Sequence, residues 1–406
     1  MSTLSLAEKF FISNHITDDI RALSLRKQPA DIDAKKVIAQ IAARQKARDK
    51  LPTWYANNAL MFPPALSVEQ ASSERTAHYK ASLVSGQLLF DLTGGMGVDT
   101  WAFAQRVNRV VYVEQRPELV ELAAHNLPLL NASNVDTQTG NGLEVIAHWP
   151  ETADWIYLDP HRRDEQGGKV SRLEDCEPDI SSPGTLSALL AKGKRILVKA
   201  SPLLDVDFTV RQLFTVEAVH IVAVQNEVKE IMLVIGKQPI AAEAVVVTAI
   251  NMTATGNAVF QFIKGDESTA SVTLNDPQQY VYEPNAAVMK AGAFRLIANR
   301  FGLSKLAPNS HLYTSNVLKS DFPGRTFRVE DVVKPDRKIV QSLIPAMKAN
   351  LTVRNFPQSV AELRKKLGLH EGGDIYIFAT TLQNGDKRLL ITRKSEQLDA
   401  QQINTQ

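Results

Sequence analysis

Apolar residues recur at three- and four-residue steps through the first 80 residues, as in "AEKFFISNHITDDIRALSL" and "KKVIAQIAARQ". This spacing matches the period of an α-helix and predicts a helical N-terminal region over residues 1–80. The adjacent Pro63 and Pro64 cannot lie inside a helix, so they predict an interruption. The nearby Trp54, Tyr55 and Phe62 either pin this region to a core or stack on nucleic-acid bases.

From residue 81 to residue 238, short apolar runs alternate with helical stretches. The runs are "QLLFDL", "RVVYVE", "VDTQTG", "ADWIYLD", "KRILVKA", "EAVHIVAVQ" and "EIMLVIG". Strands separated by helices connect through right-handed crossovers into a mostly parallel sheet, so this part of the chain predicts an α/β domain. The last two runs have no helix between them, which predicts an antiparallel hairpin at the sheet edge.

The remainder predicts two α+β regions, a connecting module over residues 239–325 and a second module over residues 326–394. In the first module, "AEAVVVTAI" and "AVFQFIKG" predict paired strands, and "NAAVMKAGAFRLIANRFGL" predicts a helix closed by glycine. In the second module, the Asn384–Gly385 pair predicts a hairpin between the last two strands. The polar residues 395–406 predict a disordered tail.

Composition narrows the class of protein. Of the 406 residues, 44% are hydrophobic and 22% are charged, which is typical of a globular protein. The single cysteine, Cys176, excludes an internal disulfide and fits a reducing compartment. No run approaches the roughly 20 apolar residues of a membrane span, and the N-terminus lacks a signal-peptide pattern. We therefore expect a cytoplasmic protein without a membrane segment, and the eight histidines show no metal-ligand spacing, which predicts no metal site.

The net charge is only +2, but Lys and Arg are concentrated towards the two ends of the chain. Residues 21–50 hold nine Lys or Arg against three Asp, and residues 316–406 hold fifteen against ten acidic residues. Such an excess is either a solvated face or the electrostatic footprint of a nucleic acid. The RNA hypothesis for the C-terminal module rests on a basic cluster made of Arg354, Arg364, Lys365 and Lys366.

The candidate chemistry lies where the predicted strands end. "DLTGGMGVD" begins with Asp91 at the end of the first strand, and Glu114 ends the second. Asn141 lies in "TGNG" after the third strand, and "YLDPH" places Asp159 and Pro160 at the end of the fourth. The carboxyl ends of neighbouring parallel strands form a ligand crevice, where an acid after the second strand can accept hydrogen bonds from a ribose. These positions predict a nucleotide-like ligand.

The glycine spacing distinguishes two such ligands. From Gly94 onwards the spacing is G-G-x-G, whereas a dinucleotide site uses G-x-G-x-x-G to fit a pyrophosphate. Asp91 precedes the turn, and its carboxylate would repel a pyrophosphate but suits a cationic ligand such as S-adenosylmethionine. The predicted hairpin also favours a methyltransferase sheet over that of a dinucleotide oxidoreductase.

On these residues, the stretch 87–236 resembles a class I S-adenosylmethionine-dependent methyltransferase domain with a Rossmann-like sheet. Thr93 departs from the common D-x-G-x-G-x-G motif, in a way similar to a D-x-T-x-G turn of several bacterial ribosomal RNA methyltransferases. The resemblance implies that Glu114 binds the ribose and that Asn141 meets the adenine. The full set of cofactor-binding residues that it implies is Asp91, Thr93, Gly94, Gly95, Gly97, Glu114, Asn141 and Asp159.

The whole chain also resembles a bacterial group of methyltransferases with a C-terminal THUMP-like domain. The strings that carry this resemblance include "FPPALSVEQASSERTAHYKA", "LDPHRRD", "VKASPLLD", "YEPNAAVMKAGAF", "HLYTS" and "RNFPQSVAELRKKLGLHEGGDIYIFATT". THUMP domains of the better-known family bind RNA, so the resemblance implies an RNA partner, either tRNA or rRNA.

The "DPHRR" string stands where that family places its catalytic motif. Asp159, Pro160 and His161 are the candidate catalytic residues, and an amino nitrogen is the favoured methyl acceptor. His161 and Arg162 replace a proline and an aromatic residue of the motif in amine-methylating relatives, which leaves the acceptor atom open. Arg162 and Arg163 are candidates to hold a phosphate, or else they form ion pairs with the acidic residues that follow.

Lys199 has two possible roles and the chain has three alternative functions. Lys199 either contacts the substrate or pairs with Asp159 or Asp205. Besides an RNA base methyltransferase, the sequence is compatible with a methyltransferase acting on a small molecule or a protein. It is also compatible with a non-catalytic RNA-binding protein that retains the cofactor site.

Overall fold

The computed structural model describes residues 4–162 and 172–395, and the chain divides into two compact units. The first unit consists of Met1–Glu217 and Ile231–Ile240, and the second of Ala218–Glu230 and Ala241–Gln406. Arg163, its acidic neighbours and the predicted tail from residue 396 onwards lie outside the described residues.

Helices dominate the first 82 residues, which confirms the prediction from the apolar period. They are α1 (Leu6–Asn14), α2 (Ile20–Leu25), α3 (Ala34–Ala47), α4 (Pro52–Ala56), α5 (Ala65–Gln70) and α6 (Glu74–Ser82). Helix α1 begins with a capping box, in which Ser5 Oγ accepts from Glu8 N at 3.1 Å and Glu8 Oε2 accepts from Ser5 N at 2.8 Å. The apolar face of α3 buries Val37 and Ile41 in a core shared with Leu122 of a later helix.

The aromatic residues around the proline pair belong to the core. Trp54 and Phe62 are 0% and 2% exposed, so the packing interpretation applies to these two, whereas Tyr55 is only half-buried. The backbone of Phe62 exchanges two hydrogen bonds with the side-chain amide of Gln40, at 2.7 and 2.9 Å. Helix α5 begins directly after Pro64, as expected from residues that cannot continue a helix.

The first unit continues with alternating strands and helices. In chain order these are β1 (Gly86–Asp91), α7 (Val98–Phe103), β2 (Val107–Glu114), α8 (Pro117–Leu129), β3 (Val135–Thr139), α9 (Gly142–His148), β4 (Ala153–Leu158), β5 (His161–Arg162), β6 (Cys176–Glu177), α10 (Pro183–Lys192), β7 (Gly193–Ala200), α11 (Val206–Leu213), β8 (Val216–Val224) and β9 (Glu227–Ile235). Only the first two residues of β8 and residues Ile231–Ile235 of β9 belong to this unit, and the rest of both strands belongs to the second unit. Within this unit the sheet order is β9-β7-β4-β1-β2-β3, with β5 and β6 forming a separate two-stranded sheet.

This sheet has the arrangement that the sequence predicts. Strands β1, β2, β3, β4 and β7 are parallel, and β9 runs antiparallel to β7 over Ile231–Ile235. Strands β1, β2, β4 and β7 are buried in their central parts, which explains why they read as continuous apolar runs, whereas the polar edge strand β3 is half-buried or exposed along its length. All these strands end at one edge, and their carboxyl ends carry the candidate residues.

The second unit contains the remaining elements. They are β10 (Val246–Thr253), β11 (Gly256–Ile263), α12 (Asp266–Thr269), β12 (Tyr280–Pro284), α13 (Ala286–Ala291), α14 (Leu296–Phe301), β13 (Ser304–Lys305), β14 (Tyr313–Ser315), β15 (Gly324–Val333), α15 (Arg337–Leu343), β16 (Asn350–Val353), α16 (Val360–Leu367), β17 (Ile375–Thr381) and β18 (Lys387–Lys394). Strands β12–β18 form one sheet in the order β13-β14-β12-β15-β18-β17-β16.

Two details of this unit correct the expectations. Strand β8 pairs in parallel with β10 from Ala218 onwards, so it does not form a sheet edge as predicted. The reason is that the apolar β10 is buried along six of its eight residues and needs neighbours on both sides. The predicted long helix after Asn285 is divided into α13 and α14, because Gly292 adopts a left-handed conformation at φ +74°.

Two other expectations for this unit are confirmed. The strands predicted from "AEAVVVTAI" and "AVFQFIKG" are β10 and β11, which pair antiparallel. Strands β17 and β18 form the hairpin expected around Asn384–Gly385, with Gly385 at φ +84°.

Candidate functional site

The glycine turn between β1 and α7 needs glycine at three positions. Gly95 and Gly97 have φ angles of +53° and +89°, in the region that glycine adopts without steric cost. A Cβ on Gly94 would lie 2.1 Å from Cε2 of Tyr112, so no other side chain fits beside this ring. The turn therefore brings its backbone into close contact with the end of β2.

Thr93 links the turn to the end of β4. Its hydroxyl oxygen accepts a hydrogen bond from the backbone N–H of Asp159 at 2.7 Å, and its own N–H donates to Asp91 Oδ1 at 3.1 Å. The threonine that departs from the common glycine motif thus has a structural function, because it joins two strand ends through one side chain.

Asp91 is a buried carboxyl group with neutral hydrogen-bond donors. It is 1% exposed and accepts from Thr100 Oγ1 at 2.5 Å as well as from the N–H of Thr93. The pKa of Asp91 is raised to about 7, mainly by burial and to a lesser extent by the charges of Asp99 and Asp159, while the two hydrogen bonds oppose the shift. A cation bound beside Asp91 would stabilise its ionised form.

Glu114 contacts the glycine turn directly. Its Oε2 accepts from the N–H of Gly95 at 2.9 Å, and its Oε1 accepts from the N–H of Arg116 at 3.0 Å. The carboxylate therefore anchors the turn and stands at the edge of the crevice, where the sequence predicts the ribose-binding acid. Its role towards the ribose stays a prediction.

Asn141 lies beside the same crevice. Its Oδ1 accepts from the N–H of Leu143 and caps α9, and the preceding Gly140 donates its N–H to the carbonyl of Glu114 at 3.0 Å. A Cβ on Gly142 would lie 2.5 Å from the carbonyl oxygen of Leu92. The start of α9 therefore packs directly against the residue after β1.

Asp159 and Lys199 form an ion pair at the ends of β4 and β7. Lys199 Nζ lies 2.5 Å from Asp159 Oδ2, and the two side chains are 16% and 37% exposed. The pairing with Asp159 that the sequence suggested for Lys199 is present, and a contact of Lys199 with the substrate stays a prediction. Asp205 instead caps α11 through its Oδ1.

The remainder of the "DPHRR" string is placed only in part. Pro160 is half-buried, His161 is exposed, and His161 pairs with Glu177 in the small β5–β6 sheet. The backbone of Arg162 completes β5, but its side chain lies outside the described residues, and so does all of Arg163. Their predicted phosphate contacts stay predictions.

A buried network beside the crevice was missed from the sequence. Asp99 receives hydrogen bonds from Ser72 Oγ and Tyr157 Oη, both at 2.8 Å, and its Oδ1 lies 3.2 Å from Nζ of the fully buried Lys80. Burial would raise the pKa of Asp99, but Lys80, Lys199 and the two hydroxyls bring it below its ordinary value.

A signal for this network was present in the sequence. Ser72, Thr76 and Lys80 recur every four residues and lie on one face of α6 and the residue pair before it. All three are less than 9% exposed. Polar residues repeated at helical spacing on a buried face indicate an internal polar network.

The basic cluster of the C-terminal module is divided between different environments. In α16, Leu363 and Leu367 are fully buried, as expected, and Lys365 and Lys366 are exposed. Arg364 pairs with Glu371 at 2.8 Å. The predicted RNA contacts of this helix therefore fall mainly on the two lysines, whose position in the last turn also suits the helix dipole.

Arg354 does not lie in this helix but pairs with the buried Glu283. Within the described parts of the chain, no cluster of His, Cys, Asp and Glu suits a metal ion. The same residues contain no helix that is both long and apolar enough to cross a membrane.

Known proteins resemble this chain in three ways. Residues 280–323 match a family described as a ferredoxin-like domain, and residues 324–394 match one described as THUMP domain-like. A crystal structure of a protein from Porphyromonas gingivalis W83, assigned as a methyltransferase, is 35% identical and has a TM-score of 0.85, covering 96% of this chain and 98% of that one. An uncharacterised S-adenosylmethionine-dependent methyltransferase of Mycobacterium tuberculosis is 23% identical over 331 residues, which is 79% of this chain and 84% of that protein.

Proposed function

The chain belongs to the S-adenosylmethionine-dependent methyltransferases with a C-terminal THUMP-like domain, and on this premise we propose that it methylates an amino nitrogen of a base in a structured RNA. S-adenosylmethionine is the methyl donor. When bound, it supplies an electrophilic methyl group on a positively charged sulfur.

The residues of the crevice fit this cofactor. The turn of Gly94, Gly95 and Gly97 presents a backbone without side chains, which lets a ligand approach closely. Asp91 is buried next to the turn and has a raised pKa, and a cationic ligand bound beside it would stabilise its ionised form. In the proposal Glu114 accepts from the ribose hydroxyls and Asn141 meets the adenine.

The observation that carries the proposal is how Asp159 is held. Its backbone N–H is fixed by Thr93 Oγ1 and its Oδ2 by Lys199, while no residue of the described parts donates to Oδ1. In the proposal Oδ1 and a main-chain carbonyl of the Asp159–Pro160 segment accept the two hydrogens of the amino group. The nitrogen lone pair is then directed at the methyl group, so that positioning lowers the barrier.

The other residues of the string act around this group. Lys199 holds Asp159 in place beside the bound substrate. His161 is exposed. In the proposal a flipped base stacks on His161, and Arg162 and Arg163 contact a neighbouring phosphate. The THUMP-like match over residues 324–394 supports RNA over a protein or a small molecule. The chain has a single cysteine, Cys176, which supports a cytoplasmic location.

Transfer of a labelled methyl group tests the proposal. Total RNA from a strain that lacks the protein is incubated with tritiated S-adenosylmethionine and the full chain, and the RNA is digested to nucleosides. We expect the label in one methylated nucleoside with the methyl group on an exocyclic nitrogen. Label on carbon or oxygen would refute the acceptor atom, and label only in protein or small molecules would refute the RNA substrate.

A further inference from the structure

Glu283 holds two arginines in the second unit. It lies on β12 and its side chain is 4% exposed. Arg325, directly opposite on β15, donates to Glu283 Oε2 through Nε at 2.9 Å and through Nη2. Arg354 follows β16 and donates to Oε1 through Nε at 3.1 Å and through Nη2 at 2.8 Å. Each carboxylate oxygen therefore orients one guanidinium group.

This arrangement leaves positive charge and donors in excess. One carboxylate neutralises only one of the two guanidinium groups. The side chains of Arg325 and Arg354 are 39% and 40% exposed, so both reach the surface. A guanidinium group has five N–H donors, and neither Nη1 group has a partner among the described residues.

Lys305 and His311 lie near these arginines. Lys305 is 3% exposed and donates to the carbonyl of Pro308 at 2.6 Å. His311 stacks on Phe294 with ring centroids 3.9 Å apart, and its Nδ1 is buried without a hydrogen-bond partner. Burial lowers the pKa of His311, and the nearby charges of Lys305 and Arg354 lower it further.

The charge balance of this cluster is positive. Burial also lowers the pKa of Lys305, with Arg295 acting in the same direction and Glu267 against it. At Glu283 itself, Arg325 and Arg354 face a single carboxylate, so the formal excess is one positive charge, counted as two minus one.

Three strings from the sequence meet here. Glu283 comes from "YEPN", His311 from "HLYTS" and Arg354 from "RNF", and the proposed methyl transfer uses none of them. Ser310, next to His311, is fully buried and shares a hydrogen bond of 3.0 Å with Thr380 of β17. Packing alone would require neither a second arginine nor the excess of charge.

We propose that Arg325 and Arg354 form a binding site for a phosphate group of RNA, an inference that rests on the RNA substrate proposed above. The planar guanidinium group matches the geometry of phosphate oxygens and is weakly hydrated. Glu283 fixes both groups before binding, which lowers the entropy lost on contact. The half-exposed position gives a small free anion little enclosure, whereas a polynucleotide adds contacts elsewhere.

Single substitutions in the full chain test this site. Arg325→Gln and Arg354→Gln each leave one cation on Glu283, so the fold should persist, which a thermal melt checks. Binding of fluorescein-labelled unfractionated bacterial tRNA is followed by anisotropy between about 50 and 200 mM salt. We expect each variant to bind roughly three- to tenfold more weakly at low salt, with a log–log salt slope smaller by about one.

The matched control is Arg393→Gln. Arg393 is 40% exposed and pairs with Glu330 at 2.8 Å in the same unit, but not with a buried carboxylate. The Arg393→Gln variant should bind RNA with the same log–log salt slope as the unmodified protein. If the Arg325 and Arg354 variants also keep that slope, the pairing of the two arginines with Glu283 is only structural and the proposal is wrong.

Two further measurements distinguish a failure of this binding site from a failure of the proposed function. If inorganic phosphate at constant ionic strength stabilises the protein through these arginines and RNA does not bind, the ligand is a free anion and the proposal is wrong. Methyl transfer to RNA with an unchanged slope in the variants would refute this site but keep the proposed function. Arginine-dependent RNA binding without methyl transfer would support the site and refute the function.

Discussion

Asp91 and Glu283 are both buried carboxyl groups, and they are accommodated in opposite ways. Asp91, in the first unit, is 1% exposed and is bound by a hydroxyl and a backbone N–H. Glu283, in the second unit, is 3% exposed and is bound by two guanidinium groups. Within the described residues, no lysine or arginine forms an ion pair with Asp91.

The difference supports the ligands proposed for the two regions. Removing a carboxylate from water is costly, and a protein can offset the cost by protonation or by pairing with a cation. Asp91 follows the first route, since burial raises its pKa to about 7. Glu283 follows the second route, and it pairs with two cations, one more than its single negative charge neutralises. The crevice thus suits a cationic ligand, and the arginine pair suits an anionic one.

The largest effect is expected for Asp159→Ala in the crevice. Removing the group that positions the acceptor should lower the rate of methyl transfer on the order of 10²–10³-fold, while the affinity for S-adenosylmethionine changes only a few-fold. Single-turnover transfer and calorimetry measure the two quantities. The exposed Asp136→Ala is the control, and near-normal transfer by Asp159→Ala would remove this residue from the mechanism.

The second effect concerns Glu283 itself. Glu283→Gln leaves two guanidinium groups without their buried counter-charge and should lower the free energy of unfolding by roughly 3 kcal/mol. Urea denaturation of the full chain measures it. The surface variant Glu330→Gln should cost less than about 1 kcal/mol. Equal losses in both variants would mean that burial of Glu283 has no energetic importance.

The third effect concerns Glu114, the residue proposed to bind the ribose. Glu114→Ala should weaken S-adenosylmethionine binding by roughly 2–3 kcal/mol, because ribose hydroxyls and the N–H of Gly95 lose a charged acceptor. Calorimetry on the folded variant measures the affinity, with the exposed Glu118→Ala as control. An unchanged affinity would show that another group binds the ribose.

The fourth effect is the pH dependence of cofactor binding. In the folded protein Asp91 keeps its proton up to about pH 7, whereas in the unfolded chain it loses the proton near the ordinary pKa of 3.8. The free energy of unfolding therefore falls as pH rises from about 4 to about 7. The affinity for a cationic cofactor, in contrast, rises by about tenfold between pH 6 and 8, because the ionised fraction of Asp91 increases. Calorimetry across this range should show the rise in the unmodified protein and not in Asp91→Asn. A flat profile in both would refute the role.

The smallest effect is expected in α16. Lys365→Ala with Lys366→Ala should weaken RNA binding less than either arginine substitution at Glu283, because flexible exposed lysines are not held in place before binding. The same anisotropy series measures it. A larger loss than in Arg354→Gln would move the main RNA contact to α16.

Most of the fold could be predicted from the local pattern of apolar and polar residues. The apolar runs of β1, β2, β4 and β7 are buried strands, and the order of strands and helices requires a parallel sheet whose carboxyl ends meet. For this reason Asp91, Glu114, Asn141 and Asp159 could be placed at one edge without coordinates. The unpaired edge predicted at β8 was wrong, because pairing with β10 joins segments that no local pattern connects.

The sequence by itself determined which residues lie at the strand ends, since a strand's direction follows from its helix connections. Only the tertiary structure decided which charges meet. Arg354 follows β16, four strands away from β12 in the order of its sheet, yet it reaches Glu283 across 71 residues of sequence. Lys80 likewise reaches Asp99 from a different helix. Such pairs depend on how elements curve and pack, and ion-pair energy depends on distances and burial that exist only in the folded chain.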